Sequence, residues 1–478
     1  MYDYLIIGAG VIGTNIAREL SRYPLKILVV DKESDVASHQ TIANSAIIHS
    51  GHDPETELKT RLCVWGNQLY HDLEKELNIP LLKTGAFVVA STQEEHTRLI
   101  ELYHRALKNQ VPSVKLMDGN EARISEPRLN PNILSVLSLP TTMVTYPWEV
   151  AFACMENAIA NGAQFRRNAE VTSIVVYDSH YEVTINHQEK IVTQHVISAA
   201  GVWADHIAKM VEVEPAFKIL PRKGEYFVLD RKAKGLFNHV LYPLPTDKGK
   251  GVLIVPQVHG NVLLGPTSTL QEDKESVSTT KEGLETIKRE LKKLSIQVPY
   301  ELVIRSFAGT RASSTYKDFY IQESSYHPGF YHVAGIDSPG LTAAPAIAKY
   351  LVDQVIRIQL PPKPDYNPIR KKEPAFFHLE DAKKREWIKK NPLYGNIVCK
   401  CEKITEAEIV AAIHGPIGND TLKGIKKRAR AGAGLCQGGY CENMVLKIIA
   451  RETGKPLTKI HYDGPNTPIL VLETKVKS

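Results

Sequence analysis

The stretch Tyr2-Asp3-Tyr4-Leu5-Ile6-Ile7-Gly8-Ala9-Gly10-Val11-Ile12-Gly13 decides the fold. Tyr2 to Ile7 reads as a buried strand that runs straight into a glycine turn, and a helical stretch follows to about Tyr23. Lys26 to Val30 is a second apolar strand, closed by Asp31. Together they form a strand–turn–helix–strand unit of ~30 residues. In that setting the glycines have work to do. Gly8 permits the tight turn, Gly10 lets backbone N–H groups reach a pyrophosphate, and Gly13 lets helix and strand pack closely. Val11 and Ile12 form the helix's first turn, whose N-terminus faces the phosphates. Asp31, followed by Lys32, is placed to accept from ribose hydroxyls. The motif alone does not separate FAD from NAD.

Outward from this unit, a polar segment leads into Thr41-Ile42-Ala43-Asn44-Ser45-Ala46-Ile47-Ile48-His49-Ser50-Gly51. An amphipathic helix from Glu55 to Leu77 comes next, then a strand at 86–90 and a helix at 94–108. A helix at 148–162 precedes strands at 171–176, 180–186 and 195–198. The last of these ends in the small residues Ala199-Ala200-Gly201 before Trp203, where a chain can pass close to a cofactor. A fingerprint at the N-terminus, with a long interrupted chain behind it, points to FAD held as a prosthetic group. A β meander with glycine turns spans 224–270. A helix at 281–294, a strand at 330–334 and a helix at 341–356 follow. Residues 361–392 are rich in Pro and Lys and read as a tether.

The expected fold class is α/β. Residues 393–478 form a small, mostly helical module.

Composition narrows the function. A net charge of +6 over 478 residues is mild and diffuse. It suits a small anionic substrate and is too weak for nucleic acid. No run of about 18 apolar residues occurs, so no membrane span is expected. The first strand enters the glycine motif directly, which argues against a cleaved leader and for the cytoplasm. Of six cysteines, four lie in the C-terminal module: Cys399, Cys401, Cys436 and Cys441. In a reducing compartment such clustering reads as a metal site. Gly432, Gly434, Gly438 and Gly439 surround the second pair and let backbone N–H groups point at sulfurs. An iron–sulfur cluster and a four-thiolate zinc both suit this donor set. Cys63 and Cys154 sit in helical patterns as small apolar residues.

Several segments together resemble the D-amino-acid-oxidase-like, or glycine-oxidase-like, flavoprotein superfamily. Within it the likeness is to flavin-dependent glycerol-3-phosphate oxidases and dehydrogenases of the short bacterial type. The segments are the glycine turn, Asn44 to Gly51, Arg222-Lys223-Gly224-Glu225-Tyr226, Gly249-Lys250-Gly251-Val252, Gly265-Pro266-Thr267, Ala308-Gly309-Thr310-Arg311, and Ser338-Pro339-Gly340-Leu341-Thr342-Ala343-Ala344-Pro345-Ala346. The C-terminal module resembles the bacterioferritin-associated-ferredoxin-like 2Fe–2S domain.

The resemblance implies a discontinuous Rossmann-type FAD-binding domain assembled from residues 1–80, 143–212 and 320–360, and a substrate domain with a mixed or antiparallel β-sheet from 81–142 and 213–319. It also implies hydride transfer from the secondary alcohol of sn-glycerol 3-phosphate to flavin. It places Asn44, Ser45, Val171, Ala200, Gly201, Trp203, Gly309 and Pro339 to Thr342 beside FAD. His49 would be the proton acceptor or a ring packed on the flavin. Arg311, read in a short loop after Gly309 and Thr310, and Lys250 would hold the anion, with Tyr226 and Ser338 as hydrogen-bonding partners. Arg222, Lys223 and Lys248 add charge without an assigned role, and His52 reads as a surface-loop residue. The oxidases of this group lack a cysteine module. Its presence implies a dehydrogenase that passes electrons to an external acceptor, a protein or a quinone, within a homo- or hetero-oligomer or alone. Oxidation of a 2-hydroxy acid such as L-2-hydroxyglutarate, or of an amino acid, is the alternative. An electron-transfer subunit of a larger complex is a third reading. The mix of Lys, Phe and Trp in 371–390 also suits weak contact with an anionic membrane face, though a linker packed on its own domains is the favoured reading.

Overall fold

A computed structural model describes residues 1–54, 56–245 and 251–472. Strands β1 (Tyr2–Ile7) and β2 (Ile27–Val30) lie parallel, joined through helix α1 (Val11–Leu20). β2 is buried along its whole length, as expected of a parallel strand covered on both faces. Gln164–Arg166 extends this sheet beyond β2. On the other side, β1 pairs in parallel with Glu189–Ser198, which pairs in turn with Phe330–Ala334. The antiparallel strands Val171–Val176 and Tyr181–Ile185 fold back on the first half of Glu189–Ser198. Helices α1, Pro147–Ala160 and Gly340–Tyr350 cover one face over an apolar core that includes Leu5's neighbours Tyr4 and Ile6, with Ile16, Phe152 and Ile347.

The second sheet is mostly antiparallel, with one parallel pairing between Val240–Tyr242 and Ala86–Ala90. Its longest ladder joins Ile219–Leu229 to Val303–Ser314, with Arg222 opposite Arg311 and Gly224 opposite Gly309. A small sheet, Ile47–Ile48 with Met143–Thr145 and Leu81–Leu82, carries the His49 loop.

Two expectations change. The predicted helix 341–356 is an α-helix only over Gly340–Tyr350 and continues as a π-turn over Leu351–Ile356. Pro345 lies inside it and cannot donate to the Leu341 carbonyl four residues back. The Tyr70 hydroxyl takes that carbonyl instead, at 2.8 Å. The stretch 361–392, read as a tether and over 371–390 as a linker packed on its own domains, is a docked strap. Arg370 is buried between Glu149, at 2.8 Å, and Glu156, at 2.5 Å. Asn367 accepts from Asn157 and Asn161. A helix spans Asp381–Lys390, and Trp387 and Tyr394 gather on the buried Phe376. Pro and Lys content indicates a linker only when no buried acids wait on the neighbouring surface, and here the helix Pro147–Ala160 supplies them. Among the described residues, no helix is long and apolar enough to cross a membrane.

Candidate active site

The glycine turn closes on itself as its spacing predicts. Gly8 has φ +108°, and a Cβ at Gly13 would stand 1.9 Å from the Gly8 carbonyl oxygen. Asp31 is bound into the turn, accepting from Ala9 N–H at 2.6 Å and Glu33 N–H at 2.9 Å. Burial lifts its carboxyl above the usual range, against the pull of those two N–H groups. Thr41 Oγ1 accepts from Val11 N–H at 3.0 Å. The remaining first-turn N–H groups of α1 have no acceptor within the helix, and Gly10, Val11 and Ile12 line the cavity.

That cavity has a volume of about 1290 Å³ and runs continuously from this turn to the second sheet. Gly8, Gly10, Val11, Ile12, Asp31, Lys32, Val171, Ala200, Gly201 and Trp203 line one part. Asn44, Ser45, His49, Tyr226, Arg311, Ser338, Pro339, Gly340 and Leu341 line the other. Three expected members stand behind the wall. Gly13 serves helix–strand packing, Gly309 is pressed flush against Ala43, and Thr342 is fully buried. Lys250 and Lys248 lie outside the described residues.

The nucleotide part fits FAD on its own evidence. His39 Nδ1 and Nε2 and Trp203 Nε1 are buried without partners among the described residues, and both side chains line the cavity. Such orphaned donors call for a polar ligand. Lys32 Nζ sits 4.6 Å over the Trp203 ring. The N-terminus of the helix Gly340–Tyr350 opens on the same cavity, where its dipole favours negative charge.

His49 is buried on the small sheet and held from three sides. Its N–H donates to Thr342 Oγ1 at 2.8 Å, its carbonyl accepts from Asn67 Nδ2 at 3.0 Å, and its Nδ1 is 3.1 Å from the Tyr242 hydroxyl. Burial raises Tyr242 well above the ordinary phenol range, so it remains a hydroxyl and sets the orientation of the ring. Tyr242 was not foreseen. It sits in the meander, nearly 200 residues away in sequence, and only the β-pairing brings it in. His52 is buried, not a surface residue. Its Nδ1 is 3.1 Å from Ser50 Oγ, and its ring meets Tyr242 edge-on.

Arg311 was expected in a loop and lies in the long strand Val303–Ser314. The absence of a side chain at Gly224 makes room for it: a Cβ there would stand 2.6 Å from Arg311 Nη2. That nitrogen donates to the Thr267 carbonyl at 3.1 Å. Arg222, directly opposite in register, reaches Ser268 Oγ at 3.3 Å and lines the same cavity. Two guanidiniums on opposed strands repel unless something negative lies between them. Among the described residues neither forms an ion pair with a carboxylate. Tyr226 stacks on Phe307 at 4.6 Å and points its hydroxyl to Ser45 Oγ at 3.3 Å.

In the C-terminal module the thiols form two pairs. Cys401 and Cys436 have Sγ atoms 3.5 Å apart, and Cys399 is hydrogen-bonded to Cys441. That bond, with N–H groups of Gly432 and Glu402, brings Cys399 down to about 6, while the same bond and burial push Cys441 up. Cys436 is lowered by the N–H groups of Tyr440 and Gly438. Backbone donors thus converge on the sulfurs as the glycine spacing implied. Two thiol pairs in such nests fit a cluster in which each iron takes two thiolates. Among the described residues no three ligand side chains converge on one ion-sized point.

A glycine turn opening a cofactor-sized cavity under an antiparallel sheet defines a flavoprotein oxidoreductase. Residues 3–354 match the FAD dependent oxidoreductase (DAO) family, and the chain belongs to it. Residues 397–451 match the BFD-like 2Fe-2S binding domain. The chain is thus an FAD enzyme with a 2Fe–2S module. It is 40% identical over 478 residues to a glycerol 3-phosphate dehydrogenase of Caloramator mitchellensis, covering 99% of both chains. It is 34% identical to a glycerol 3-phosphate oxidase of Mycoplasma genitalium, over 77% of this chain and 97% of that one. The solved structure of the FAD-bound, dithionite-reduced L-alpha-glycerophosphate oxidase of Mycoplasma pneumoniae superposes with a TM-score of 0.74 at 31% identity. That match covers 78% of this chain and 99% of that one.

Proposed function

We propose that the chain oxidises sn-glycerol 3-phosphate to dihydroxyacetone phosphate, releasing two electrons and two protons. The opposed Arg222 and Arg311, which form no ion pair with a carboxylate among the described residues and share one cavity with His49, carry this reading. Their planar forks suit a phosphate, and their strand positions keep them apart at fixed spacing. His49 receives the proton of the substrate's secondary hydroxyl, with the Tyr242 hydroxyl at Nδ1 holding the ring. Tyr226 and Ser338 give hydrogen bonds to the substrate, and Lys250 adds a further cation. Bound FAD supplies the two-electron acceptor. The N-terminus of the helix Gly340–Tyr350 offers positive potential to the negative charge that reduction creates. Gly8 to Ile12, Asp31, Lys32, Asn44, Ser45, Val171, Ala200, Gly201 and Trp203 hold the cofactor.

The cysteine module supports a dehydrogenase over an oxidase. The dehydrogenase relative aligns across it, whereas the oxidase relatives align over about three quarters of this chain with almost nothing of their own left over. Cys399, Cys401, Cys436 and Cys441 would hold a 2Fe–2S cluster, which would supply a one-electron carrier toward an external acceptor, a protein or a quinone. The site of action is the cytoplasm.

Anaerobic titration of the purified protein with glycerol 3-phosphate tests this. Flavin absorbance falls first and cluster absorbance follows within turnover time. L-2-hydroxyglutarate and amino acids on the same panel leave the flavin oxidised. Bleaching by L-2-hydroxyglutarate alone would reassign the substrate, and a cluster that stays oxidised while flavin reduces would remove the relay.

A further inference from the structure

The loop after β2 has two faces. Asp31 to Glu33 and Ser38 to Thr41 line the nucleotide part of the cavity. Ser34, Asp35, Val36 and Ala37, between them, are buried, and the first three are bonded to the cysteine module. Asn419 Nδ2 donates to the Ser34 carbonyl at 3.1 Å. Lys427 Nζ donates to the Val36 carbonyl at 2.9 Å and lies 2.7 Å from Asp35. Arg428 forks both oxygens of Asp35, at 2.6 and 2.8 Å. The loop is also pinned to the glycine turn, because Ala37 N–H donates to the Ala9 carbonyl at 3.0 Å.

Lys427 and Arg428 belong to the helix Leu422–Ala429, which lies between the two cysteine pairs in the chain. Its cap residue Arg430 binds Glu402, next to Cys401, at 2.9 Å, and Lys426 reaches Gln437, next to Cys436, at 3.4 Å. One helix therefore carries cysteine loops at one side and the nucleotide loop at the other. Asp35 and Lys427 are almost completely buried, and separating them leaves bare charges in an apolar setting. The module cannot shift without disturbing the loop.

We propose that Lys427 and Arg428 are positioning residues for the FAD loop, so that cluster loading and FAD binding are coupled free energies. The inference rests on the reading that Asp31 to Thr41 hold the nucleotide half of FAD. Both cofactors stabilise one arrangement of the helix Leu422–Ala429 and the loop Ser34–Ala37, and such coupling is reciprocal. Loss of the cluster loosens the loop, and loss of FAD exposes the cluster.

The experiment measures FAD dissociation constants by flavin fluorescence on the full-length protein. The variants are Cys401→Ser/Cys436→Ser, Arg428→Ala, Arg428→Lys and Asp35→Asn, with folding checked by thermal melting. Arg428→Ala and the cysteine double variant each weaken FAD about tenfold, within the usual range of coupling between sites. Combined, they weaken it no more than either alone, and Arg428→Lys recovers part of the loss. In the wild type, saturating FAD raises by the same factor the iron-chelator concentration needed to bleach half the cluster, and in Arg428→Ala it does not. Asp35→Asn, which keeps the side chain's shape, gives the same loss if Arg428→Ala fails to fold. Unchanged FAD affinity in the folded Arg428 or Asp35 variants overturns the coupling. Asp31→Ala separates the two readings. If it weakens FAD while Arg428→Ala does not, only the coupling fails. If Asp31→Ala leaves FAD affinity unchanged, the placement of the nucleotide fails beneath it.

Discussion

The two parts of the cavity are built by different rules. The nucleotide part comes largely from one run, residues 8–41, and works through backbone: a turn, a helix N-terminus and a carboxylate folded back on Ala9. The part proposed for substrate draws His49, Arg222, Tyr226, Arg311 and Pro339 from distant segments, with Tyr242 behind His49, and relies on side chains fixed by β-register. A backbone-made site fails when a Cβ is added, and a side-chain site fails when a functional group is removed. Different substitutions should therefore break each part, and neither kind should damage the other.

The largest effect is expected from Gly13→Val. With a Cβ already 1.9 Å from the Gly8 oxygen, the turn cannot close, and purified protein should lack FAD, read as lost absorbance near the flavin bands. FAD retained at wild-type stoichiometry would show that the turn has slack that the spacing denies. His49→Asn should lower turnover by roughly 10² to 10⁴, the range for loss of a general base, while FAD stays bound. Turnover like the wild type would leave His49 as a ring packed on the flavin. Arg311→Ala should raise the substrate concentration needed for half-maximal rate by ~10- to 100-fold, as loss of one charge-assisted bond predicts. The flavin spectrum should not change, and an unaltered KM would move the anion clamp to Arg222. The smallest effect is assigned to Tyr242→Phe, a roughly 2- to 10-fold drop in turnover from losing one hydrogen bond that aims the imidazole. A drop as deep as that of His49→Asn would place the Tyr242 hydroxyl in the proton path itself.

Legibility in the sequence followed the same division. β1, the glycine turn, α1 and Asp31 could be read directly, because each piece of that unit lies within a few residues of the next. The strands Ala86–Ala90, Val171–Val176 and Phe330–Ala334 were equally clear from their apolar runs. Arg311 was read as an anion ligand in a short loop after Gly309 and Thr310, and it lies in the strand Val303–Ser314. In the ladder that glycine is pressed against Ala43, and it is Gly224 on the opposite strand that opens space for the guanidinium. Arg222 was seen as one cation among several. Its place across from Arg311 depends on register, which no local pattern reveals. The partners of the strap were illegible for a related reason: its Pro and Lys are visible in sequence, whereas Glu149 and Glu156, which hold Arg370, lie more than 200 residues earlier.

The amino-acid sequence by itself determined the dinucleotide unit, the α/β class and the cysteine module. Each is written in short-range spacing of glycines, apolar residues and thiols, which dictates backbone conformation locally. The flavin chemistry lies in no single spacing and came from the resemblance that several segments carry together. Only the tertiary structure decided which arginine faces which, that Tyr242 stands at His49, that His52 is buried, and that Lys427 and Arg428 grip the loop beside FAD. Those contacts join residues far apart along the chain. They exist only because the sheets and the strap bury charged and polar groups where a single partner can satisfy them.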